Sequence, residues 1–214
     1  MPVLALACLV LFAPPAAAAV CVAQNGYGYD VEVTIELPEV RLDRSLSRAQ
    51  LGGMALHGPD ERVLGLTKSN LEVATLATYL TYPAESGLCF WVGRIGVMLR
   101  YHSLDVYVAR EYRSDSCAYR AILEHEKQHV AIARRNIQRY LPRIKSALAS
   151  LIIPKARTPK LVASMAAGEA DMERILDKLM TPIQNEIDAV LTREQAKIDT
   201  PESYARVRAK CSDW

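Results

Sequence analysis

"SCAYRAILEHEKQHVAIARRNIQRYLPRIKSALASL", Ser116 to Leu151, is where the hydrophobic period of the chain changes. Ile122, His125, His129, Ala133, Ile137, Leu141, Ile144, Leu148 and Leu151 recur at intervals of three and four residues. That spacing collects them on one face of a helix. Ser114, Asp115 or Ser116 offers the N-cap. Pro142 lacks an amide hydrogen and crowds the carbonyl four residues back, so a kink is expected near Ile137 to Leu141. "IPKARTPK" then breaks the chain, and a second stripe follows: Met172, Leu176, Leu179, Ile183, Ile187, Val190 and Glu194, with Pro182 inside it. Two long helices joined by a short loop should lie antiparallel.

Upstream the period is two. In "YDVEVTIELPEV" Val31, Val33, Ile35 and Leu37 alternate with Asp30, Glu32, Thr34 and Glu36, the pattern of a half-buried strand. A short helix is expected at Ser47 to Met54, then a loop. "LEVATLATYLTY", "GLCFWVGRIGVMLRY" and "LDVYVAREY" read as further strands, separated by "PAESG" and "HS". The simplest assembly is α+β: a small antiparallel sheet in the N-terminal half, packed with the antiparallel two-helix hairpin. Near the C-terminus, Thr200 as cap and Pro201 at the first helical position predict a last short helix toward Cys211.

Composition narrows the function. Half of the 214 residues are hydrophobic, and 26 Lys+Arg stand against 24 Asp+Glu. A charge so near balance does not build the concentrated positive field that nucleic acid requires. Residues 1–19 combine an apolar run, Val3 to Phe12, with Pro14, Pro15 and the small residues Ala16 to Ala19, which reads as a signal peptide. That leaves one domain, 20–214, periplasmic or secreted and without a transmembrane anchor. Export favours disulfides among Cys21, Cys89, Cys117 and Cys211. Three pairings exist; the hairpin brings Cys211 back toward Cys117, so Cys117 with Cys211 and Cys21 with Cys89 is expected.

Within the first helix, His125, Glu126 and His129 form a His-Glu-x-x-His pattern. Residues four apart on a helix point the same way, so the two imidazoles can hold one Zn2+ while Glu126 stands beside them as general base. In hydrolytic zinc sites a third protein ligand closes the set, and a water of lowered pKa fills the last position. An ordinary helix would lose stability by placing two unpaired imidazoles in an aliphatic stripe. His57 and His102 read as surface or turn residues, and Arg134, Arg135, Arg139, Arg143 and Lys145 as a solvated basic flank. Tyr204 reads as a packed tyrosine, although a phenol can also stabilise an oxyanion.

"GLCFWVGRIGVMLRY", "SCAYRAILEHEKQHVAI" and "AKIDTPESY" together resemble a family of secreted bacterial proteins of unknown function described as zinc-dependent proteases. The resemblance runs from about Leu71 to Tyr204, with the His-Glu-x-x-His core as its sharp motif. It implies a zincin-like domain and a peptide or protein substrate. Members carry a downstream aspartate, matched by Asp199, followed by Thr-x-His-Gly, which this chain lacks. Asp199 is therefore the expected third ligand, a choice also favoured by the return of the hairpin. Periodicity offers Glu194 instead, since it continues the inward stripe, and Glu186 and Glu202 are further candidates. Two other functions share these features: a non-enzymatic envelope protein with a structural or vestigial metal site, and a metal-dependent cell-wall amidase.

Overall fold

The computed structural model describes Cys21, residues 30–55 and 63–212, and Trp214, with the side chains of 152–157 excepted. The expected signal peptide, 1–19, and His57 lie outside the described residues.

The chain is α+β. Two long strands, β3 (Gly65–Ala84) and β4 (Gly87–Val108), form a hairpin that pairs over nearly its whole length. It closes through a tight turn at Gly87, whose φ of 154° disfavours any side chain. Because β3 occupies one edge of β4, the other edge serves three short strands in succession. β5 (Lys160–Val162) pairs with Leu88–Phe90, β1 (Asp30–Glu36) with Arg94–Arg100, and β2 (Val40–Asp43) with Leu104–Tyr107.

This corrects the expected antiparallel sheet: β1 and β2 run parallel to β4, so the sheet is mixed. The physical cause is the hairpin itself. β2 ends beside Tyr107 and β3 begins opposite Val108, so the chain leaves and re-enters the sheet at one end. β4 then inserts between its two predecessors, which makes β2 parallel to it. Among the described residues of the β2–β3 connection lies the short α1 (Arg48–Met54), started by a capping box between Ser47 and Gln50.

β4 also replaces two expected strands. Its buried side chains alternate as Val97, Leu99 and Tyr101, then as Leu104, Val106 and Val108. The change of parity falls where Ser69 pairs with Leu104 and Leu71 with Tyr101, so that His102 and Ser103 face Asn70 alone. One extra residue in a strand reverses which side chains point inward, and this bulge keeps both halves on the core side. A second irregularity sets Gly93 outside the register between Thr78 and Tyr79, again where buried positions pass from Val92 to Ile95.

α2 (Cys117–Arg157) runs unbroken through Pro142 and Pro154. Ser116 caps it, its hydroxyl accepting the Tyr119 amide at 3.1 Å. α3 (Met165–Ala196) includes Pro182 and buries Met172, Leu176, Met180, Ile183 and Ile187. Contacts of His129 with Gln195, of Asn136 with Ile187 and of Arg143 with Glu186 descend one helix as they climb the other, so the pair is antiparallel. Ile137, Ile144 and Leu148 of α2 and Ile187 of α3 are fully buried in one apolar cluster with Ile95, Leu99, Leu104 and Val106 of the sheet. Burial of an aliphatic side chain stabilises by about 1.5–3 kcal/mol, so this cluster sets the helices against the sheet. α4 (Pro201–Arg208) closes the chain. Disulfides join Cys21 to Cys89 and Cys117 to Cys211. No helix among the described residues is long and apolar enough to cross a membrane.

Candidate metal centre

Helical spacing puts His125 and His129 one turn apart on the buried face of α2, 4% and 8% exposed. The antiparallel hairpin returns the end of α3 to this level. Past Ala196 the chain turns, and Thr200 starts α4 by accepting the Ser203 amide at 3.1 Å. The turn carries Asp199. The Cys117–Cys211 disulfide ties the chain three residues past α4 to the first residue of α2, the helix that carries the histidines.

Three ligand-type atoms converge there. His125 Nε2 lies 3.2 Å and His129 Nε2 3.0 Å from Asp199 Oδ1, and the two Nε2 atoms are 3.3 Å apart. Ligand atoms at about 2.0–2.1 Å from a tetrahedral zinc stand about 3.3 Å from one another. The donor set and its spacing therefore fit such an ion. Tyr204 joins the group, its hydroxyl donating to Asp199 Oδ1 at 3.0 Å and its ring 5.4 Å from that of His125.

Charge at the centre is strongly coupled. Burial alone would raise the Asp199 carboxyl, but hydrogen bonds with His125 and His129, the charge of His129 and the Tyr204 hydroxyl hold it well below the usual carboxylate range. Burial works against protonated His129, yet Asp199 and Glu126 together raise its pKa.

Glu126 stands one step round the helix and does not share the convergence point. It is 4% exposed, and burial pushes its carboxyl up against the lowering effects of His129, Thr67 and His125. Thr67 Oγ1 lies 2.8 Å from Glu126 Oε2 and 3.1 Å from the Glu126 carbonyl oxygen, so β3 grips both ends of the residue. Gly65 makes this approach possible: a Cβ there would come 2.6 Å from Glu126 Oε1 and 2.7 Å from Ile122 Cγ2.

Other sequence candidates lie elsewhere. Glu194 pairs with Lys197 at 2.5 Å, Glu186 with Arg143 at 2.5 Å, and Glu202 occupies the first turn of α4. His102 meets Glu72 at 2.6 Å, beside the Arg100–Glu72 pair. Arg134 reaches the Pro38 carbonyl, so the basic flank is partly tied to the fold. Sequence reasoning missed Gly65, Thr67 and Gln195. None has a local signature, since each acts through a contact across at least 59 residues.

Compared with protein-family models, with curated proteins and with solved structures, the chain matches none.

Proposed function

We propose that the protein is an exported zinc-dependent hydrolase, a peptidase, with His125, His129 and Asp199 as metal ligands and Glu126 as general base. The observation that carries this reading is the convergence of two imidazole nitrogens and one carboxylate oxygen beside a buried glutamate. Zinc supplies Lewis acidity and a water acidic enough to ionise near neutral pH. Glu126, its Oε2 held by Thr67, is the base that would take the water proton and later return it to the leaving amine. Tyr204 is the hydroxyl placed to donate to a developing oxyanion, once it turns from Asp199. The two disulfides suit an oxidising compartment, the periplasm or the extracellular space.

Close burial of Glu126 under Gly65 and Thr67 favours a second reading, an envelope protein whose metal is structural. One experiment separates them. Zinc is counted by elemental analysis in the wild type, His125→Ala, His129→Ala and Glu126→Gln, beside a screen of peptide and cell-wall amide substrates. The hydrolase reading expects one zinc per chain, lost in both histidine variants, and hydrolysis lost in Glu126→Gln with zinc retained. Hydrolysis that survives Glu126→Gln refutes the mechanism; hydrolysis confined to cell-wall amides makes the enzyme an amidase.

A further inference from the structure

His129 is held at two places by one side chain. Its Nδ1 is hydrogen-bonded to Gln195 Oε1, and the Gln195 amide nitrogen donates to the His129 carbonyl oxygen at 3.3 Å. The chemistry of the amide fixes both directions. A backbone carbonyl only accepts, so the NH2 end of Gln195 must face it and the Oε1 end must face the ring. Oε1 only accepts in turn, so Nδ1 carries the hydrogen. With a cation in the centre the ring is neutral and its lone pair is then on Nε2, which is the atom 3.0 Å from Asp199 Oδ1 and 3.3 Å from His125 Nε2.

We propose that Gln195 is the positioning residue of the metal centre: it sets the tautomer and ring orientation of His129 and brings Asp199 into place with it. The second role follows from the chain. Gln195 lies in the last turn of α3, four residues before Asp199, so the clamp that aligns His129 also docks the turn carrying the carboxylate. Two of the three donor groups are thereby assembled by one contact between α2 and α3. A neutral amide in this place does something a carboxylate would not. It orients the imidazole without pulling its proton, which leaves the ring a weaker electron donor and a bound cation more electrophilic. This inference rests on the metal-site reading above.

The test compares wild type with Gln195→Leu, which keeps bulk and loses both hydrogen bonds, and with Gln195→Glu, which keeps an acceptor toward Nδ1 and loses the donor toward the His129 carbonyl. Zinc affinity is measured by competition with a chromogenic chelator. The His129 ring is followed by nitrogen-15 NMR in the zinc-loaded protein, with thermal unfolding of the metal-free form as a control for folding. Expected are an Nδ1–H ring in zinc-loaded wild type, loss of that preference in Gln195→Leu, and a roughly 10–100-fold weaker zinc affinity in Gln195→Leu. Gln195→Glu should keep the Nδ1–H ring. Should Gln195→Leu fold poorly, the wild-type and Gln195→Glu tautomers still decide. An Nε2–H tautomer in wild type overturns the proposal, as does a Gln195→Leu protein that folds and binds zinc like wild type. A wild type that binds no zinc removes the metal-site reading and this proposal together, whereas zinc binding with the wrong tautomer removes this proposal alone.

Discussion

Gly65→Ala isolates the proposed role of Glu126 from that of the candidate ligands His125, His129 and Asp199. The added methyl would lie 2.6 Å from Glu126 Oε1, 2.9 Å from Glu126 Cγ and 2.7 Å from Ile122 Cγ2, where ordinary contact begins at 3.4 Å. Something must retreat by about 0.8 Å, the shortfall implied by that 2.6 Å contact. The carboxylate cannot withdraw without stretching its 2.8 Å bond to Thr67, which stands two residues along the same strand. The strand cannot withdraw either without disturbing the Gly65–Val108 pairing that begins the sheet. Overpacking of this kind costs about 1–3 kcal/mol, and misplacing a catalytic group by about 1 Å costs on the order of 100-fold in rate. The atoms nearest the added methyl belong to Glu126 and Ile122 and not to His125, His129 or Asp199, so zinc affinity should stay within a few-fold of wild type. Gly168→Ala is the matched control: it crowds the Phe90 ring at 2.5 Å, in the first turn of α3, and should cost similar stability with no effect on turnover. Urea unfolding, chelator competition and kcat on whichever substrate the screen yields would be measured for both. A Gly65→Ala protein of unchanged stability and turnover would refute the packing argument.

Removing the Cys117–Cys211 disulfide by double serine substitution should cost up to about 4–5 kcal/mol on chain-entropy grounds and weaken zinc binding at least tenfold, because Asp199 loses its tether. The same change at Cys21 and Cys89 should cost similar stability and leave zinc affinity unchanged; equal effects on zinc from both pairs would refute the tether. Thr67→Val removes the hydroxyl that grips buried Glu126 and should lower stability by about 1–3 kcal/mol by urea unfolding, zinc content being unaltered. Tyr101, whose hydroxyl donates to the Ala133 carbonyl at 3.2 Å, is pushed up to about 12 by burial and by Asp188. A raised pKa means stability is full below pH 10 and declines as pH rises toward 12, by about 1.4 kcal/mol at pH 11. Urea midpoints at pH 8 and 11 should show a smaller decline in Tyr101→Phe.

Helices were legible where periodicity was long, and strands only where it was uninterrupted. The stripes from Ile122 to Leu151 and from Met172 to Val190 became α2 and α3, because a three-to-four repeat over many turns admits one burial solution. One proline misled the reading: "IPKARTPK" suggested a break, yet α2 continues through Pro154 to Arg157. "HS" suggested a gap between two strands because parity changes there, but a bulge changes parity without ending a strand. Strand direction had no local signature at all. Whether β1 and β2 run parallel or antiparallel to β4 depends on which strand is inserted last, a property of the whole hairpin and of no window of residues.

The centre divides along the same line. His125, Glu126 and His129 could be read from spacing, since four residues on a helix fix a common direction before any tertiary contact forms. Asp199 was weighed against Glu194 because helical period carries the stripe to Glu194 and stops there. What separates them is the end of α3: Glu194 remains on the helix and pairs with Lys197, whereas the turn after Ala196 swings Asp199 across to the histidines. A residue that leaves its helix can reach a point that periodicity cannot describe. Gln195 and the Cys117–Cys211 bond then do for the turn what a helix does for His125 and His129: they fix its direction. If zinc binds, its affinity should therefore depend as much on the contacts that dock the α3–α4 turn as on the ligands themselves.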